Sequence, residues 1–432
     1  MTRSLLAIVL AATALAACQR GAEPAGQNGL DAIAREYVLL SLTIGEKEEG
    51  YIDAYYGPAE LQAKAKTDAA SQDLDALAQR TDELRKKLAG VTSNDPLEAR
   101  RAKFLSAQLT AAATRLRMLK GEKLSFDEEA NGLFSVAPEL KPLSSYDPVL
   151  AKIEKLVPGS GDLADRVDAF QNHFNIPKER LKPVFDTAIG ECRRRTLQHI
   201  QMPKDERFDM AFVTGKSWSG YNYYQGNAHS RIEINTDLPI RISRAVDLGC
   251  HEGYPGHHVL NALLEQRLTK EKGWIEFSVY PLYSPQSLIA EGSANYGIDL
   301  AFPGNDQLNF ETNTLYPLAG LPTAQAADYL ALTHAMRDLA GARFTIAREF
   351  LEGRIDDAEA ARLTRKYGLV SPERAKQMTE FTKQYRTYVI NYGLGQDMVR
   401  AYVEAAGADP KARWARMEKI LSEPTLPSDL KP

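Results

Sequence analysis

The chain is poor in the residues that mark specialised architectures. Three cysteines in 432 residues rule out a disulfide-built scaffold. The apolar run Leu5 to Ala17 falls short of the roughly 20 residues a membrane-crossing helix needs. Neither sign of charge dominates: 53 basic residues face 57 acidic ones, a net −4, which argues against nucleic acid or an anionic membrane face as partner. There is no internal repeat, and histidine is scarce, at seven residues. Core material is plentiful. With 44% hydrophobic and 25% charged residues the chain can bury a full core, as one large domain or two closely packed ones.

Arg3 and the apolar run end in Leu15-Ala16-Ala17-Cys18, which resembles a bacterial lipobox. Residues 1–18 therefore read as a lipoprotein signal with Cys18 as the lipidation site; an ordinary secretory signal cleaved near Ala17 is the alternative. Gln19, rather than Asp, suits outer-membrane sorting. The expectation is a cell-envelope lipoprotein facing the periplasm, touching the membrane through its N-terminal anchor only, with residues 19–29 as a flexible tether. Of the two remaining cysteines, a single disulfide is possible in an oxidising compartment. Cys250 reads first as a small buried residue behind the site helix.

The expected fold is mainly α, with a helical N-terminal region over 30–205 and a catalytic region over 206–432. Asp95-Pro96 opens the clearest helix, whose stripe is Leu105, Leu109, Ala112, Leu116 and Leu119, with Gly121 ending it. Ser125 and Glu128 form a capping box, and Asp147-Pro148 starts another helix. Further helices are expected near 163–174 and 178–200. Strand signals lie at Phe208 to Val213 and in the alternating Arg231 to Asn235, a small β-sheet just before the histidine-rich motif. Between them Trp218 to Gly226 reads as an aromatic loop, in which Tyr223 and Tyr224 are candidate substrate contacts. Such a sheet is where an extended peptide could be received, though a structural hairpin is an equal reading. One helix is expected over about 287–300 and a long one from Thr323 to Leu351. The regions 356–367, 371–390 and 396–406 complete the set.

The run His251-Glu252-Gly253-Tyr254-Pro255-Gly256-His257-His258 holds three of the seven histidines, and Glu291 follows 34 residues after His257. Two His and a distant Glu are the ligand set of a hydrolytic zinc site, and Glu252 is placed to take a proton from the water such a site activates. The usual ligand spacing of four is occupied here by Pro255. His258 shares the azimuth of His251 on an ideal helix, within about 20°, but lies roughly 10.5 Å along the axis. Pro255-Gly256 makes an ideal helix unsuitable, and a two-residue bulge there would return His257 to the second ligand position. His257 is preferred, with His258 as the alternative. The bland reading, a surface helix with an incidental histidine cluster, fits poorly with the apolar flank Val259 to Leu264.

His-Glu-x-x-Pro-Gly-His-His followed by Glu-Gly-x-Ala-x-Tyr resembles the signature of a large bacterial family, domain of unknown function 885, related to the gluzincin metallopeptidases. The resemblance is closest over about 250–297 and extends in outline from 30 to the end. It implies a mostly helical fold with a groove, zinc, and hydrolysis of a peptide substrate, with His251, His257 and Glu291 as ligands and Glu252 as base. Tyr392-Gly393-Leu394-Gly395 is similar to the family's Tyr-Lys-x-Gly segment, with Gly393 in place of Lys. A Tyr there could donate to the oxyanion of the tetrahedral intermediate. The family's Asp and His, after an Arg comparable to Arg343, have no evident counterpart. His229 could line the cleft, whereas His173, His199 and His334 read as surface or satisfied core residues. The leading function is a lipid-anchored zinc peptidase. The rivals are a ligand-binding lipoprotein on a peptidase-like scaffold and a metal-dependent hydrolase of non-peptide amides or esters.

Overall fold

Asp95 and Pro96 open the helix that organises the N-terminal half. The Asp95 carboxylate accepts hydrogen bonds from the backbone N–H groups of Leu97 (2.8 Å) and Glu98 (3.4 Å), capping the helix Pro96–Leu119. These positions come from a computed structural model that describes residues 27–216 and 218–431. The signal segment and Cys18 lie outside the described residues. The end of the expected tether is already structured, because the first helix, Gln27–Gly45, begins before Gly29. Among the described residues no helix is long and apolar enough to cross a membrane.

The expected apolar stripe is the core face of the Pro96–Leu119 helix, with Leu105, Leu109, Ala112 and Leu116 buried. Arg101 is buried on the same helix and fully used. It donates to Glu276 (2.5 and 3.0 Å) and to Asp31 (2.6 Å), tying the first helix to the segment Ile275–Ser278 of the C-terminal region. Pairing of this kind offsets the cost of taking the charge out of water. One buried cluster runs from Leu30 to Leu430 and spans both regions that composition marks off.

The fold is mainly α with two small sheets. β1 (Ile52–Tyr55) pairs antiparallel with β5 (Val279–Pro281). β2 (Arg207–Val213), β3 (Gly220–Tyr224) and β4 (His229–Asn235) form a mixed sheet in the order β2-β4-β3, with β2 parallel and β3 antiparallel to β4. The expected aromatic loop is thus partly a strand: its Tyr-Asn-Tyr alternation presents two rings to one face and hides behind uniformly large side chains.

C-terminal to the sheet the helices follow closely. The expected 323–351 helix is two, Ala326–Arg337 and Ala340–Leu351. Gly341, just past the break, lets Tyr146 approach: a Cβ there would lie 2.2 Å from its hydroxyl. Pro372–Tyr385 and Ile390–Glu404 follow, and a last helix, Pro410–Ser422, lies beyond the elements expected from sequence.

Candidate metal centre

The helix Ser243–Leu248 widens into a single π-helical turn, Gly249–Gly253, which carries His251 and Glu252. Tyr254 then turns to extended backbone, and a new helix starts at His257. The bulge expected inside one helix is a full break between two. Gly256 makes the return possible. Its N–H donates to the Cys250 carbonyl (3.0 Å), and a Cβ there would lie 1.7 Å from the His251 carbonyl oxygen. Only glycine fits such a close backbone approach.

The break brings the His257 and His251 Nε2 atoms to 3.1 Å. Glu291, on the helix Pro285–Ala301, places Oε2 at 3.2 Å from His251 Nε2 and 3.8 Å from His257 Nε2. Donors about 2.0–2.1 Å from a tetrahedral ion stand about 3.4 Å apart. The three edges bracket that value, and this His251/His257/Glu291 group could hold a metal ion. The surroundings fit as well. Glu291 Oε2 is buried without a hydrogen-bond partner, while Oε1 accepts from the Tyr388 hydroxyl (2.8 Å). His251 Nδ1 lies 3.1 Å from Asn295 Oδ1, so its N–H donates outward and the Nε2 lone pair faces the cluster. Asn295 is four residues after Glu291, on the same helical face.

Tyr388 is held in place by an unusual backbone. Arg386 has φ 55°, and buried Glu129 restrains it, accepting from the Arg386 guanidinium (2.8 Å) and the Thr387 hydroxyl (2.8 Å). Burial pulls the His251 imidazole down, but Glu291 and Glu252 beside it more than reverse this. His257 is pushed down to about 4 by burial and the neighbouring His251, leaving it neutral, the form a ligand needs.

Glu252 is 4% exposed, and no described residue hydrogen-bonds its carboxylate. Burial, with the charges of Glu291 and Asp53, pushes it up to about 7. β3 passes directly over it: Asn222 Nδ2 donates to the Glu252 carbonyl (2.7 Å), and a Cβ on Gly220 would sit 2.9 Å from Glu252 Oε1.

These groups line a cavity of about 1090 Å³, along which the unbroken run Trp218 to Tyr223 forms one wall. Tyr223 and Tyr392 line it too, as do Tyr388 and Asp53, which the sequence did not single out. Tyr224 and His229 do not. Tyr224 donates to Glu265, and His229 Nε2 lies 2.9 Å from Asp209, both engaged away from the cavity wall. His258 is turned from the cluster, with Nδ1 2.8 Å from Ser230 Oγ and Nε2 3.0 Å from Glu206. One nitrogen ties the motif to β4 through Ser230, and the other meets Glu206 just before β2. Cys250 is not a free buried thiol: it forms a disulfide with Cys192, tying the His251 turn to the helix Leu181–Thr196.

No family model and no curated protein matches the chain, so the likeness to domain of unknown function 885 rests on its motifs. The chain is similar to solved structures. A candidate lipoprotein from Colwellia psychrerythraea is similar at TM-score 0.51 and 14% identity, over 86% of this chain and 68% of its own. An M32 carboxypeptidase from Deinococcus radiodurans R1 is similar at TM-score 0.39 and 14% identity, over 92% and 89%. The first likeness speaks to fold alone, and the second is too low to argue from.

Proposed function

We propose that this chain is a zinc-dependent hydrolase acting on peptides, with His251, His257 and Glu291 as ligands. The observation that carries the reading is the unpartnered Glu291 Oε2 beside two imidazole nitrogens at tetrahedral spacing, with the free Glu252 carboxylate in the same cavity. A purely structural site has no use for such a carboxylate.

Bound zinc would supply Lewis-acid polarisation of the scissile carbonyl and a more acidic water. Glu252, its proton affinity raised by burial, takes the proton of the attacking water and passes it to the leaving amine. Tyr392 lines the cavity and would donate to the oxyanion. Among the described residues β3 pairs on one side only, with β4, so its other edge would offer backbone groups to an extended peptide, with Tyr223 beside it. The disulfide and the likeness to the Colwellia psychrerythraea protein support a place outside the cytoplasm, with a lipid on Cys18 as anchor.

Glu252→Gln tests the assignment. The variant is expected to keep about one zinc per chain and the parent melting temperature, yet lose roughly a hundred- to ten-thousand-fold in peptide cleavage. Equal cleavage by variant and parent would remove Glu252 from the mechanism.

A further inference from the structure

The cavity carries a cationic wall whose charges are unequally balanced. Arg337 is paired with Asp299 (2.8 Å), Arg244 with Asp247, and Arg115 with Glu48. Arg343, on the helix Ala340–Leu351, is different. Its guanidinium has no ion pair or hydrogen bond to any described residue, and its Nε is buried without a partner. Its neighbours are two ring faces, Phe381 at 5.3 Å and Tyr392 at 5.6 Å.

Burial holds the Arg343 guanidinium below its ordinary range, with the charges of Tyr392 and Glu291 offsetting only part of it. Arg374, also on the lining, has no ion pair among the described residues either, but it donates to Gln377 Oε1 (2.9 Å), and other arginines of the chain meet carboxylates. Arg101 has Glu276 and Asp31, Arg386 has Glu129, and Arg400 has Asp299. Ring faces offset only part of the desolvation of a cation. A planar fork of donors held between two rings and open to a cavity matches a carboxylate in geometry and charge.

We propose that Arg343 is a specificity-determining residue of the cleft, binding a carboxylate of the substrate beside Tyr392. The proposal rests on the peptidase reading for the nature of the substrate and deepens it. In a peptide the carboxylate comes from the C-terminus or from an Asp or Glu side chain, and the chemistry at Arg343 is the same. An acid bound there would lie next to the phenol assigned to the oxyanion, close to the metal group. The Arg343–Tyr392 contact thus couples recognition of the acid to alignment of the scissile bond.

The test uses zinc-loaded Glu252→Gln protein, which leaves peptides intact, and calorimetric binding of one short peptide in three forms. These are the free acid, the C-terminal amide, and an amide carrying one internal Glu. At least one carboxylate form is expected to bind about ten- to a hundredfold tighter than the plain amide, the range for hydrogen bonds to charged groups. Adding Arg343→Met should erase that preference while leaving amide binding and melting temperature near the parent, and Arg343→Lys should restore part of it. Tighter binding of the free acid alone assigns the C-terminus; tighter binding of the Glu peptide assigns a side chain. Either outcome supports the proposal. An acid-to-amide preference that is absent, or that survives in Arg343→Met, overturns it. Cleavage of the same peptides by the protein with Glu252 intact is scored separately, so lack of turnover counts against the peptidase reading and not against the carboxylate site.

Discussion

The Glu291 ligand depends on two helices that meet backbone to backbone at Gly292 and Gly395. At Gly292 a Cβ would lie 2.4 Å from the carbonyl carbon of Gly395, 2.5 Å from its oxygen and 2.8 Å from its Cα. The partner atoms are main chain, so no rotamer change relieves the contact. Gly292→Ala must instead part the Pro285–Ala301 and Ile390–Glu404 helices by about 1 Å to reach ordinary van der Waals separation. Overpacking of this kind costs about 1–3 kcal/mol, and with rigid backbone on both sides the upper end applies. Replacing a helical glycine by alanine returns about 0.5–1 kcal/mol, so a net loss near 2 kcal/mol is expected. The site suffers more directly. Glu291 lies on one helix and Tyr392, whose carbonyl accepts from Asn295 (3.2 Å), on the other. A ligand set tolerates displacements of about 0.5 Å, so zinc affinity should fall at least about tenfold, as when a supporting partner is lost. Chelator competition and thermal melting on the same preparations would read both effects. Gly190→Ala, on an exposed helical position with nothing within 4 Å, is the control and should be neutral or stabilising. Parent-like zinc affinity and melting in Gly292→Ala would refute the packing argument.

The remaining expectations are more local. Glu291→Ala should lose most bound zinc, because a three-ligand site cannot spare one; metal analysis after zinc-supplemented growth reads this. Glu206 is held down at about 2: burial would raise it, but the hydrogen bonds from His258, Tyr254 and Arg193 prevail. A depressed carboxylate stabilises the fold above its unfolded pKa and stops doing so as pH falls through the folded value. Parent stability should therefore decline between about pH 4.5 and 2, and Glu206→Gln should be less stable at neutral pH with a flatter decline, as followed by denaturant titration. Reducing Cys192–Cys250 opens a loop with a sequence separation of 58. The chain-entropy account puts the loss at about 4 kcal/mol, readable as a lower denaturation midpoint in reductant. Fatty-acid labelling and membrane partitioning should both disappear in Cys18→Ala; unchanged labelling would reject the lipobox.

Much of the fold was legible because its signals are local. Pro148 sits in the first turn of the helix Asp147–Leu156, which has no side-chain cap, while the Ser125–Glu128 capping box and Asp95-Pro96 start theirs through side-chain caps. Asp409-Pro410 carries the same signal, with Asp409 accepting from Lys411 N–H (3.1 Å), and could have been read the same way. β1 and β5 could not: each is four residues or fewer, and they pair across more than 200 positions. No local pattern reports such a partner. The Cys192–Cys250 disulfide was open to the sequence as one possibility, since only two cysteines follow Cys18, but nothing local says that they meet.

The candidate site divides along the same line. Residue types and the Pro-Gly interruption lead to His251, Glu252, His257 and Glu291, because a water-activating ion demands those donors. Which way each ring faces is a tertiary matter. His257 and His258 are adjacent in sequence, and an ideal helix would favour the second. The break at Tyr254 to Gly256 resets the phase, so that His257 meets His251 while His258 turns to Ser230 and Glu206. Asn295 was within reach of helical spacing, four residues past Glu291, and Tyr388 is four before Tyr392. The family resemblance touched Arg343 but gave it no role, for its importance lies in what it lacks. A guanidinium without a carboxylate becomes visible only when every neighbour is in place, and the acidic group whose charge reaches it, Glu291, belongs to the metal cluster.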